Sequence, residues 1–263
     1  MSKKSKAIYT FLIRIIRETV LSFNLQHDFA WEKATLDFET GAIHAFRDCI
    51  PFVHLHGCHF HFCQSIFRQL SLVGLKPNYS NRDFPHFAIS VRCVFALAFL
   101  PAERIENAFN AIVDHLEEQY DRAGIAYPDN LVRFISYIQR TWICENSKFS
   151  KDMWNVCNLR DRRTNNFVEG WHSLCLRHFG VGKNIWKFIL RLQKIEMQTR
   201  GLLQQLEAGE DISNRKQYQK KKEQKIVRMM DRYQNGVYEN DRTYLQALAH
   251  LQADFLERGE FGE

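Results

Sequence analysis

The chain has 263 residues, 45% of them hydrophobic and 25% charged, with a formal net charge of +6. That much apolar content builds a sizeable core and excludes an intrinsically disordered chain. Seven cysteines, odd in number and without a regular spacing, exclude a secreted disulfide scaffold and fit reduced thiols inside the cell.

The opening stretch MSKKSKAIYTFLIRIIRETVLSF begins basic, but Arg14 and Arg17 interrupt its apolar run and no small-residue cleavage site follows. Neither a signal peptide nor a membrane span is expected. Residues 7–23 place Ile8, Leu12, Ile15, Ile16 and Thr19 at three- and four-residue intervals, which predicts a helix with that apolar face. In EKATLDFETGAIHAF a short run from Ala34 to Leu36 reads as a strand with Asp37 at its end, followed by a helix through Ala42, Ala45 and Phe46. PFVHLHG then alternates Val53 and Leu55 with His54 and His56, a second strand closed by Gly57. Two strands joined through a helix are expected to lie parallel in one sheet.

From Cys58 to about Arg140 the pattern is helical throughout, and a polar connector then leads to Trp154 and to RTNNFVEGWH. After Asn184, Ile185, Phe188, Leu192, Ile195, Thr199, Leu202 and Leu206 recur at threes and fours. This predicts a long amphipathic helix over 184–206 that needs a partner and can serve self-association. Gly209 and EDISN break it, a basic helix over 215–234 follows, and TYLQALAHLQADFL closes the chain. The mixed region at 34–57 and the helices elsewhere predict a predominantly helical α/β protein.

Three motifs carry possible chemistry. In NNFVE, Asn166 and Glu169 have the spacing of a capping box, and Asp37 has the place of a helix cap or a turn. GCHFHFCQ sets Cys58, His59, His61 and Cys63 within six positions, and Cys58 with His61 makes half of a tetrahedral Zn²⁺ site. His172 and Cys175 are candidates for the other half, while packing among core residues is the plainer reading. The stretch from Asn214 to Arg232 holds eight Lys or Arg against Glu223 and Asp231, a net of 8 − 2 = +6, equal to the whole chain. Lys220, Lys221, Lys222, Lys225 and Arg228, interleaved with Tyr218 and Tyr233, suit either a solvated face or the phosphates of DNA.

Taken in order, LDFETGAIHAF, HGCHFHFCQSIFRQL, FALAFLPAERIENAF and RTNNFVEGWHSLCLRHFGVGKNIWKFI resemble the transposase domain of Mutator-like elements over about residues 7–195. The resemblance implies a ribonuclease H-like fold with an Asp-Asp-Glu triad, DNA recombination as the activity, and a nuclear location. Asp37 matches the second Asp and Glu169 the Glu, 169 − 37 = 132 residues later, with a helical insertion at about 64–155 between them. Cys58 and His61 match a Cys-x-x-His motif of the family, and His172 falls in the motif after the Glu. In-line displacement at a phosphodiester uses two Mg²⁺ or Mn²⁺ ions about 3.5–4 Å apart, held by hard carboxylate oxygens. The family's first Asp precedes the helix that residues 7–23 resemble, whereas Asp28 is the sole Asp before Asp37 here. The expectation is an incomplete catalytic domain, a relic or a product whose beginning is lost, with 1–182 as a partial ribonuclease H-like core whose first strands are missing and 183–263 as a helical extension. The competing reading is a non-catalytic DNA- or partner-binding protein of the same descent.

Overall fold

The computed structural model describes residues 5–23, 31–160, 163–164, 170, 184–210 and 217–252. Glu169, His172 and Cys175 lie outside the described residues. The chain divides into two compact units, one of residues 1–164 with 225–263 and one of residues 165–224. Among the described residues the protein is mostly helical with one two-stranded parallel sheet. This is the predominantly helical α/β composition that the sequence predicts.

In the first unit, α1 (Lys6–Ser22) precedes β1 (Lys33–Leu36), α2 (Thr40–Cys49) and β2 (His54–Gly57). The strands pair parallel, from Lys33 opposite His54 to Leu36 opposite Gly57. A parallel pair needs a crossover, and α2 provides it. α1 packs on α2, with Ile13 buried and Arg17 Nη1 donating to the Cys49 carbonyl at 2.7 Å. The expected apolar face of α1 is displaced by this contact. Ile8, Leu12, Ile15 and Ile16 are 38–48% exposed, because the face that meets α2 runs through Tyr9 and Ile13 instead.

The core is helical: α3 (His59–Leu72), α4 (Lys76–Tyr79), α5 (His86–Ala96), α6 (Ile105–Ala123), α7 (Asp129–Ile138) and α8 (Lys151–Trp154). α5 is buried along most of its length and runs into Leu97–Leu100, all buried. Phe62 stacks on Trp154 with ring centroids 4.7 Å apart, and Trp142 meets Phe62 edge-on at 4.9 Å. The Trp154 indole N–H donates to the Trp142 carbonyl at 3.1 Å, so this buried donor is satisfied.

The second unit contains α9 (Ile185–Glu207), whose N-cap Asn184 accepts from the Trp186 and Lys187 amides. α10 (Gln217–Gln234) crosses the division between the units at residue 225. In the first unit α10 buries Ile226 and Met230, and α11 (Asp241–Gln252) buries Tyr244, Leu245, Leu248 and Ala249 and packs on α5. Tyr233 and Tyr244 stack at 4.2 Å, joining α10 to α11. No helix among the described residues is long and apolar enough to cross a membrane, and all six described cysteines are free thiols.

Candidate functional site

Asp37 stands immediately after β1, at the carboxyl end of a parallel strand, the end at which open α/β sheets bind ligands. Its position is fixed by its neighbour. Phe38 turns into the core, its ring edge-on to Trp142 at 4.8 Å and to Phe149 at 5.0 Å. The same ring fills the space over Gly57, where any Cβ would overlap it. Glycine at the end of β2 therefore lets Phe38 anchor the turn that carries Asp37 and Glu39.

Cys58 caps α3 without a side-chain capping bond, and the Arg163 carbonyl accepts the His59 amide at 2.9 Å in its place. The first residue of RTNNFVEGWH is thereby tied to the first turn of α3. Arg163 is buried; its guanidinium donates to the Leu159 carbonyl at 3.1 Å and lies over the Phe99 ring.

The four candidates of GCHFHFCQ part into two pairs. His59 and Cys63, four apart, face the core: both are buried, His59 Nε2 lies 3.1 Å from the Phe95 carbonyl oxygen, and the Cys63 sulfur is 3.6 Å from the same nitrogen. Cys58 and His61 face the end of β1. His61 Nδ1 lies 2.9 Å from Asp37 Oδ1, and its ring is also hydrogen-bonded to the fully buried Cys58. Burial opposes the charge on His61, but the bonds to Asp37 and Cys58 outweigh it and raise the imidazole to about 10. Asp37, His61 and Cys58 thus form one cluster at the end of β1.

Glu39, two residues beyond Asp37, is an acid that the sequence motifs did not single out. Its carboxylate accepts the Tyr9 hydroxyl from α1. That bond, then burial and the charges of Glu39 and Asp37, push Tyr9 up to about 12. Two carboxylates therefore stand at the end of β1, each tied to a donor from a different helix.

Mg²⁺ or Mn²⁺ would meet in Asp37 a carboxylate with one oxygen committed to His61. Zn²⁺ would take His61 as the neutral imidazole and Cys58 as the thiolate, so its binding would release protons. Among the described residues no group of three His, Cys, Asp or Glu side chains is arranged to hold a metal ion. The described residues by themselves do not make a two-metal centre or a tetrahedral zinc site.

The basic candidates lie on α10. Ile226, Met230 and Tyr233, four and three apart, form the face turned to the core. Lys221, Lys225, Arg228 and Arg232 follow the same periodicity on the opposite face, and all four are exposed. Lys220 is exposed beside this stripe, whereas Lys222 falls nearer the buried side and is half-buried. The charge run thus resolves into a four-residue stripe.

A 610 Å³ cavity elsewhere in the first unit is lined by Lys33, His54, His56, Asp152, Cys157 and Tyr233 among others. Burial, then His54 and Lys33, lower the His56 imidazole below its ordinary value. Compared with protein-family models, curated proteins and solved structures, the chain matches none of them.

Proposed function

We propose that this protein is a Mutator-type transposase derivative that binds DNA through α10. The observation that carries the binding is the stripe of Lys221, Lys225, Arg228 and Arg232 opposite a buried apolar face. A helix held by one side presents its cations on the other at fixed spacing, and each that neutralises a phosphate releases condensed counterions. The binding is to the DNA backbone and reads no sequence. The descent is supported by the order of the four motifs along the chain. It is supported also by the parallel strand, helix and strand that carry Asp37 to a sheet end beside Cys58 and His61.

The test is a fluorescence-anisotropy titration of a labelled DNA duplex with the full chain at several salt concentrations. Binding that weakens steeply with salt supports the reading; no binding at low salt contradicts it.

Strand cleavage is a second reading, favoured by Asp37 at the carboxyl end of β1 with Glu39 two residues on. It rests on Glu169 supplying the other half of the acid pair and on a further carboxylate beyond the two. Nicking of supercoiled plasmid with Mg²⁺ or Mn²⁺, lost in both Asp37→Ala and Glu169→Ala, would establish it; nicking that survives both substitutions would refute it.

A further inference from the structure

α5, α6 and α11 pack together in the first unit and line a 370 Å³ cavity, within the roughly 300–1,000 Å³ of small-molecule sites. Each helix gives it one face: residues 86, 89, 90 and 93 of α5, residues 112, 115, 119 and 122 of α6, and residues 242, 245 and 246 of α11. Spacings of three and four put each set on a single helical stripe. A stripe that faces a neighbouring helix is ordinarily apolar, and the floor follows that rule: Cys93, Ile112 and Leu245 are buried. Burial pushes the Cys93 thiol up to about 12, so the floor carries no charge.

The rest of the lining is polar and basic. Arg122 and Arg242 stand at the exposed rim with His86 and His115 half-buried beside them, and among the described residues no Asp or Glu lines the cavity. Arg242 gives one N–H to His115 Nε2 at 2.8 Å and has no carboxylate partner among the described residues. A guanidinium has five N–H donors, so this bond orients Arg242 and leaves its charge uncompensated. Arg122 pairs with the exposed Glu118 at 3.3 Å. Ser90 is buried, yet its hydroxyl makes no hydrogen bond among the described residues, and neither do the half-buried side chains of Gln119 and Gln246. Buried polar groups ordinarily have partners. An arginine that merely faces solvent needs neither the apolar floor nor the buried hydroxyl beside it.

We propose that this cavity binds a small organic anion, a carboxylate or phosphate group on an apolar body, with Arg242 and Arg122 as the counter-charge. A guanidinium matches either oxyanion with paired N–H bonds. Ser90, Gln119 and Gln246 supply further donors, and the apolar body lies over Cys93, Ile112 and Leu245. None of these residues belongs to α10 or to the cluster at the end of β1, so the site is separate from the binding of the DNA backbone.

The experiment is a heteronuclear NMR titration of the full chain with benzoate and with phenyl phosphate, beside benzamide and inorganic phosphate. The result expected is saturable shifts of the Gln119 and Gln246 side-chain amides, with a dissociation constant of about 1 mM or tighter for at least one of the two aryl anions. Benzamide, which lacks the charge, and inorganic phosphate, which lacks the apolar body, are expected to bind about tenfold more weakly or worse. Arg242→Gln keeps a donor to His115 and removes the charge, and should weaken the aryl anion about tenfold or more. Ala111→Phe, at an exposed position on the rim, leaves every charge in place and should block entry. The absence of a saturable shift from either aryl anion up to about 10 mM overturns the proposal. Binding that benzamide or inorganic phosphate matches overturns it too, as does binding undiminished in either variant.

Discussion

Asp37 Oδ1 lies 2.9 Å from His61 Nδ1, so the carboxylate at the end of β1 and the imidazole in the first turn of α3 form one ion pair across two junctions of the fold. With Cys58 bonded to the same ring, the pair explains why an acid, a thiol and an imidazole converge here. The imidazole is raised from 6.5 to about 10. In an NMR titration His61 is expected to remain charged through neutral pH while an unperturbed histidine loses its proton. The stabilisation from the pair is complete below 6.5 and is lost as pH rises to about 10. The advantage of wild type over His61→Gln in urea unfolding should therefore shrink steadily above neutrality.

Gly57 is required by the Phe38 ring, which a Cβ would overlap and which Trp142 and Phe149 hold in place. Gly57→Ala is expected to cost about 1–3 kcal/mol in chemical unfolding. Combining it with Phe38→Leu should cost less than the sum of the two single changes, since the smaller side chain vacates the contested space. Additive costs would mean that the ring is not what the glycine accommodates.

His115 joins α6 to α11 through Arg242, whose Nη2 lies 2.8 Å from the imidazole Nε2. Burial, then the Arg242 charge, lower His115 below its ordinary value despite Glu118 nearby. A histidine held neutral stabilises the fold above about pH 6.5, and that contribution is lost as pH falls. Between neutral and about pH 5 wild type should lose stability relative to His115→Gln, whose amide oxygen accepts from Arg242 at every pH. Parallel pH profiles would contradict this.

Among the described residues no group of three His, Cys, Asp or Glu side chains is arranged around Cys58 and His61 to hold a metal, so chelator is expected to leave the melting temperature unchanged. A drop on chelation, abolished by Cys58→Ser, would show instead that a structural metal holds α3 to the end of β1.

The strands, the crossover helix and the long helices were legible because their signals are local. Alternation of Val53 and Leu55 with His54 and His56 marks β2, and threes and fours mark α9. What the sequence could not assign was which face meets which neighbour. In α1, Ile8, Leu12, Ile15 and Ile16 make the more obvious stripe, yet Ile13 is the buried residue because α2 lies on that side. In GCHFHFCQ the sequence pairs Cys58 with His61 by spacing, but only the helix geometry shows that His59 and Cys63 turn inward while Cys58 and His61 face Asp37. Glu39 carries no motif; only its contact with Tyr9, thirty residues earlier, draws it to the site. The return of α11 to α5 likewise depends on distant packing that no local pattern reports.

The central claim is that the exposed stripe of α10 binds DNA phosphates. The most direct measurement is the slope of log binding constant against log salt for the full chain on a duplex, beside Lys221→Gln/Lys225→Gln/Arg228→Gln. Each lost phosphate contact removes about 0.9 from the slope, so the triple variant should bind more weakly with a slope shallower by about 2 to 3. An unchanged slope and affinity in folded variant protein would contradict the account and remove α10 from the interface.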